Sequence, residues 1–256
     1  MQTKLHALTR TPAPSIANCE LTHLQREPID YAKAVAQHQL YCQALTNLGI
    51  KVTTLFHNDF ADGVFVEDPA IVLDEVALIT RPGAASRMDE VPTLATELAR
   101  FREVKQMTPP ATLEGGDVLC IGKKIFIGHS SRTNQSGIEQ LKQIAKPLGY
   151  EINVGDVQHC LHLKTGCSYI GDDTILINPQ WIDRDLFHNF QILEIDPSEP
   201  FAANAIFAND QILYSTSFPR TLERMEGLGF EANTVDNSEL LKAESGLSCM
   251  SLIFKS

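Results

Sequence analysis

The stretch Asn204–Val235, NAIFANDQILYSTSFPRTLERMEGLGFEANTV, contains one complete structural unit. Two apolar, β-branched runs flank a polar turn in NAIFANDQILYS, which is the pattern of a hairpin. Helical periodicity follows from Pro219 to Leu228, with Gly229 as its stop, and FEANTV supplies a third short strand. Outward from this stretch the same order recurs. Hairpin patterns start at Val64 (VFVEDPAIVLDEVALIT), Gly116 (GDVLCIGKKIFIG) and Leu161 (LHLKTGCSYIGDDTILI). Helical periodicity covers Asp30–Leu48, Ser86–Phe101, Asn134–Leu148 and Pro179–Phe187, with Asp30 as an N-cap and Gly49 and Gly149 after helix ends. The strands KVTTLF, EVKQM, YEINV and QILEI follow those helices. The final strand, CMSLIF from Cys249, has no downstream partner and is expected to pair with KLHALTR near the start.

The chain therefore reads as an α/β protein with a hairpin–helix–strand unit repeated about five times, at intervals of about 40 to 55 residues. A circle of such units closed by its two end strands is a propeller. A doubly wound sheet would place single strands between helices, not hairpins. No linker divides the chain, so residues 1–256 are expected to form one domain.

The repeat also predicts a site. The first strand of each hairpin begins or ends with a polar or reactive residue: Glu67 and Asp68, Glu114 and Asp117, His162, Asn204, and Cys249. Equivalent positions in a closed ring converge on one axis. A thiol near a histidine is equipment for nucleophilic catalysis. Neighbouring carboxylates would raise the thiol pKa, which is the wrong direction unless the substrate is a cation that neutralises them. A guanidinium is the cation that paired carboxylates recognise best.

Six segments carry a family resemblance: DGVFVEDPA, ITRPGAASR, ATLEGGDVL, GHSSRTNQSG, LHLKTG and SGLSCMSL. In order and at compatible spacing, along essentially the whole chain, they resemble the dimethylarginine dimethylaminohydrolases of the guanidine-modifying superfamily. The resemblance implies a five-bladed α/β propeller. It also implies hydrolysis of Nω-methylated arginine to citrulline and a methylamine through a covalent thiouronium. By motif, Cys249 is the nucleophile, His162 the general acid and base, and Glu114 the group that orients His162. Glu67 and Asp68 would bind the guanidinium, with Asp62 and Phe65 completing that end. Arg87 and Arg132 would clamp the α-carboxylate, and the carbonyls of Leu161 and Ala243 would take the α-amine. The loop SIANCELTHLQREP would be a lid, with Glu20 or Leu21 over the substrate.

The net charge of −11, from 21 basic and 32 acidic residues, argues against nucleic acid as a partner. No run reaches the roughly 18 apolar residues of a membrane helix, and the N-terminus has no signal-peptide pattern, so a cytoplasmic enzyme with a small-molecule substrate is expected. A homodimer is left open. The six cysteines form no CxxC framework. The spacing HCLHLKTGC fits no usual zinc pattern, so no metal or other cofactor is expected. The rival readings are arginine deimination, citrulline hydrolysis and a non-catalytic propeller module.

Overall fold

The middle strand of each predicted unit carries a short apolar run, and burial on both faces explains it. In the computed structural model, which describes residues 4–56 and 59–255, β1 (Leu5–Arg10) lies parallel to β2 (Lys51–Leu55), with α1 (Tyr31–Asn47) between them in sequence. Four three-stranded sheets follow. The first is β3 (Ala70–Val72), β4 (Val76–Ile79) and β5 (Glu103–Gln106), and the second β6 (Val118–Ile121), β7 (Lys124–His129) and β8 (Glu151–Asp156). The third is β9 (Cys167–Tyr169), β10 (Thr174–Ile177) and β11 (Gln191–Glu194), and the fourth β12 (Ile206–Ala208), β13 (Gln211–Ser215) and β14 (Ala232–Val235). In each, the first two strands pair antiparallel and the last two parallel. β15 (Leu252–Lys255) pairs antiparallel with β1, setting Leu8 opposite Leu252, so the fifth sheet has the order β15-β1-β2. The result is a five-bladed α/β propeller.

Local chemistry sets the element ends. The Asp30 carboxylate accepts from the Lys33 amide at 3.1 Å to start α1. Asn134 does the same for α3 (Gln135–Ala145), accepting from Gly137 at 2.8 Å; α2 (Val91–Leu98) precedes it in the chain. The β12–β13 hairpin turns through Asn209 and Asp210, at φ +50° and +59°, the paired left-handed conformation that matches strand twist. The cores lie between neighbouring blades. Ile71 and Leu78 of one blade pack with Ile125, Ile138 and Leu141 of the next. Tyr41 and Leu45 of α1 pack with Leu213 and Met250.

Several elements depart from the sequence expectation. Pro179–Phe187 is not a helix; only Arg184–Phe187 forms a 3-10 turn. The Asn178 side chain accepts from Gln180 and the Asp183 side chain from Asp185, each at 2.9 Å, so two side-chain turns replace continuous helical bonding. The expected Ser86–Phe101 helix is a 3-10 segment, Ala85–Glu90, followed by α2. Glu67, His162 and Cys249 lie ahead of their strands, not within them. His162 precedes the short helix α4 (Leu163–Gly166), and Cys249 sits in a 3-10 turn. Among the described residues no helix is long and apolar enough to cross a membrane.

The ring closure is braced by a 2.6 Å hydrogen bond between the buried Tyr41 hydroxyl and Ser251 Oγ, immediately before β15. Tyr41→Phe removes it and should cost about 1–2 kcal/mol of unfolding free energy in urea denaturation. An unchanged midpoint would show that α1 does not support the closing strand.

Candidate active site

Each blade contributes the turn that leads into its first strand, and these turns meet at one end of the ring. Adjacent turns are joined through the backbone: the Glu67 amide donates to the Cys249 carbonyl at 3.2 Å, and the Gly115 amide to the Asp68 carbonyl at 2.9 Å. His162 is then held from both sides. Its Nε2 lies 2.6 Å from Glu114 Oε2, and its Nδ1 lies 3.9 Å from Asp68 Oδ1. The other Glu114 oxygen accepts from the Gly83 amide at 2.8 Å and lies 3.6 Å from Arg132 Nη1. Asp117, fully buried, accepts from the Leu163 amide at 2.9 Å and from the hydroxyls of Ser130 and Thr133, fixing the start of α4 beside His162.

These contacts set protonation. Burial works against a charge on His162, but Asp68, the Glu114 bond and Asp117 outweigh it and raise its pKa to about 9. Burial pushes Glu114 the other way, yet its bond to His162 and the two nearby arginines hold it well below the usual carboxylate range. Both shifts favour an imidazolium paired with a carboxylate. Burial, then Glu67 and Asp68, push the Cys249 thiol up to about 12. The Gly246 amide lies 3.3 Å from its sulfur.

A cavity of about 20 Å³, room for one water, is bordered by Glu20, Asp62, Phe65, Asp68, Arg87, Glu114, Arg132, Leu161, His162, Ala243, Glu244, Ser245 and Cys249. Two residues expected at the substrate do not border this cavity. Leu21 packs against the core while Glu20 faces the cavity, its carboxylate accepting from Ser86 Oγ at 2.6 Å. Glu67 lies beside the cavity, with Lys164 Nζ at 2.5 Å and Ser248 Oγ at 3.0 Å. Asn204 donates to Ser248 Oγ at 3.0 Å and to the Lys164 carbonyl at 2.7 Å. This polar layer separates the thiol from a second cavity of about 230 Å³, lined by the first strands of all five blades.

Arg87 differs from its expected role as a free carboxylate clamp. It is 4 % exposed, and its guanidinium meets Asp68 Oδ2 at 2.6 Å, Glu90 Oε2 at 3.0 Å and the Phe65 carbonyl at 3.0 Å. Arg132 is less committed, donating from Nη2 to Thr22 Oγ1 at 2.9 Å. Sequence reasoning missed Glu90, Lys164 and Ser248. The last two lie inside quoted motifs, LHLKTG and SGLSCMSL, which was the available signal. Ligand atoms of Asp68, Glu114 and His162 come within 4.8 Å of one another, close enough for a metal ion, while His162 Nε2 is already paired with Glu114 Oε2 at 2.6 Å.

An arginine deiminase family model matches residues 87–226. The N(G),N(G)-dimethylarginine dimethylaminohydrolase of Pseudomonas aeruginosa is 38% identical over 252 residues, 97% of this chain and 99% of that protein. This chain belongs to the dimethylarginine dimethylaminohydrolase family. The family member from Streptomyces coelicolor is 36% identical over 249 residues, 96% of this chain and 95% of its own. A solved structure of a cysteine-to-serine mutant of the Pseudomonas aeruginosa family member, complexed with citrulline, overlays with a TM-score of 0.91 at 36% identity, covering 99% of this chain and all of that one.

Two outcomes follow for the His162 setting. A Cβ on Gly116 would come within 2.6 Å of His162 Nδ1 and 2.9 Å of Asp68 Oδ1. Gly116→Ala should therefore cut kcat/KM by about a hundredfold or more by displacing the ring, in steady-state assays of folded protein. Because the folded-state pKa of His162 lies above its unfolded value, its stabilisation is complete below about pH 6.5 and is lost as pH rises through about 9. The fall in unfolding temperature over that window should be shallower in His162→Gln; equal slopes would show that His162 is not the group titrating.

Proposed function

We propose that this chain is a cytoplasmic hydrolase that converts Nω-methylated arginine to citrulline and a methylamine, with Cys249 as nucleophile. The observation that carries this reading is the geometry: Cys249, His162 and Asp68 border one cavity, the Glu67 amide bonds the Cys249 carbonyl at 3.2 Å, and His162 Nε2 is held 2.6 Å from Glu114. Carboxylates that suppress a thiolate in the empty site favour it once a bound cation neutralises them. The relatives that bear the family name support the same chemistry.

The steps balance as follows. Substrate guanidinium displaces Arg87 from Asp68, and the released Arg87 joins Arg132 on the α-carboxylate. The thiol proton leaves to solvent as the cation arrives, and the thiolate adds to the guanidinium carbon. His162 gives its proton to the departing amine, leaving a thiouronium on Cys249. The neutral imidazole then removes one proton from water as its oxygen adds to the same carbon, and the carbon–sulfur bond breaks as the remaining hydroxyl proton passes to the departing sulfur, giving citrulline and the Cys249 thiol. Glu114 keeps the imidazolium in position throughout.

Product analysis tests the reading, with asymmetric dimethylarginine, monomethylarginine, arginine and citrulline offered to wild type and Cys249→Ala. Citrulline and dimethylamine from the wild type, and nothing from the variant, is the expected result. Ornithine from citrulline would reassign the chain to citrulline hydrolysis, and ammonia from arginine to deimination. No turnover of any substrate would favour a non-catalytic module. In the complex, where the bound cation has already ionised the thiol, kcat of the methylarginine reaction should fall on the alkaline side as His162 loses the proton it donates.

A further inference from the structure

The loop over the cavity is held by a residue that no motif reading singled out. Glu244 Oε2 accepts from the Thr22 amide at 2.6 Å, and Oε1 accepts from the amides of His23 and Leu24 at 2.5 and 2.6 Å. Three successive backbone N–H groups thus converge on one carboxylate, the arrangement by which a chain recognises an anion. The acceptor is far away in sequence, on the tight turn between Leu241 and Ser248, and its own backbone is left-handed at φ +54°. A non-glycine residue holds that conformation at a cost, and the three bonds offset it.

The position of Glu244 ties lid and site together. It follows Ala243, whose carbonyl is assigned to the substrate α-amine. It precedes Gly246, whose amide faces the Cys249 sulfur at 3.3 Å. The lid end of the contact is also bound to the substrate machinery, since Thr22 Oγ1 accepts from Arg132 at 2.9 Å. A second carboxylate, Asp62, accepts from the Glu20 amide at 3.2 Å. With these contacts made, the cavity holds about 20 Å³, too little for an amino acid, so entry requires the lid to lift.

We propose that Glu244 is the positioning residue for lid closure: its carboxylate fixes Thr22–Leu24 and so holds the preceding lid residue Glu20 at the Cys249 cavity, and breaking those three bonds opens the site to substrate. The inference rests on the reading of Cys249 as the nucleophile. Free enzyme lacking the latch spends more time open, so the thiol is easier to reach and the substrate must supply closure from its own contacts. Both the reactivity of the empty site and the KM rise, while a closed complex still turns over.

The test is alkylation by iodoacetamide, followed at Cys249 by peptide mass mapping, with the exposed Cys120 of the far cavity as an internal standard. Glu244→Ala should raise the Cys249 rate about tenfold with Cys120 unchanged, and raise KM about tenfold while kcat stays within about threefold. Glu244→Gln, which keeps shape and an acceptor oxygen but not the charge, should fall between. A folded Glu244→Ala with unchanged Cys249 alkylation and unchanged KM would overturn the proposal. If Glu244→Ala does not fold, an unchanged Cys249 rate in Glu244→Gln would overturn it equally. Absence of methylarginine turnover in the wild type would remove the reading of the reaction yet leave the alkylation comparison intact.

Discussion

Closure of the ring through β1 and β15 is the constraint on which the site depends. Cys249 reaches Glu67 only because β15 crosses back to pair with a strand some 240 residues earlier, and the Glu67 amide then bonds the Cys249 carbonyl. Two halves of the chemistry come from opposite stretches of the chain. The carboxylates arrive with the first complete blade and the thiol with the last strand.

The second requirement is charge balance in a dry place. Asp68, Glu90 and Glu114 are buried with Arg87 and His162, and each carboxylate meets a cation. An isolated buried charge would be far too costly, and the pairs hold one another in register. The protein thus fills its anionic pocket with its own Arg87. Burial, and then Glu67 and Asp68, push the Cys249 thiol up, which disfavours reaction with other electrophiles while the site is empty.

Much of the architecture was legible because burial on both faces leaves an apolar run, as in β4 and β10, and because Asp30 and Asn134 cap helices by local rules. The segment after Pro179 misled for the opposite reason: Asn178 and Asp183 also act locally, but they close separate turns, and Ile182 forms an isolated bridge to Val157 in place of continuing a helix. The site's residue types were readable, whereas its pairings were not. Nothing local says that Arg87 will bond Asp68 and Glu90, or that Glu20, not Leu21, will face the cavity. Those choices depend on how the lid and the 3-10 segment at Ala85–Glu90 pack against distant turns. Glu244 escaped for the same reason, since its three partners lie more than 200 residues away.

The split blade has a consequence for biosynthesis. β1 leaves the ribosome long before its antiparallel partner β15, the last of the described strands. Until then β1 can pair with β2 but presents its other side as an open edge, the kind of surface that invites mispairing. Ala7 and Leu8, wholly buried in the finished ring, stay partly uncovered for that interval. The nascent chain can stack its blades in order, yet it carries no working thiol and no closed ring until its final strand docks. Fold completion and acquisition of activity are therefore one event.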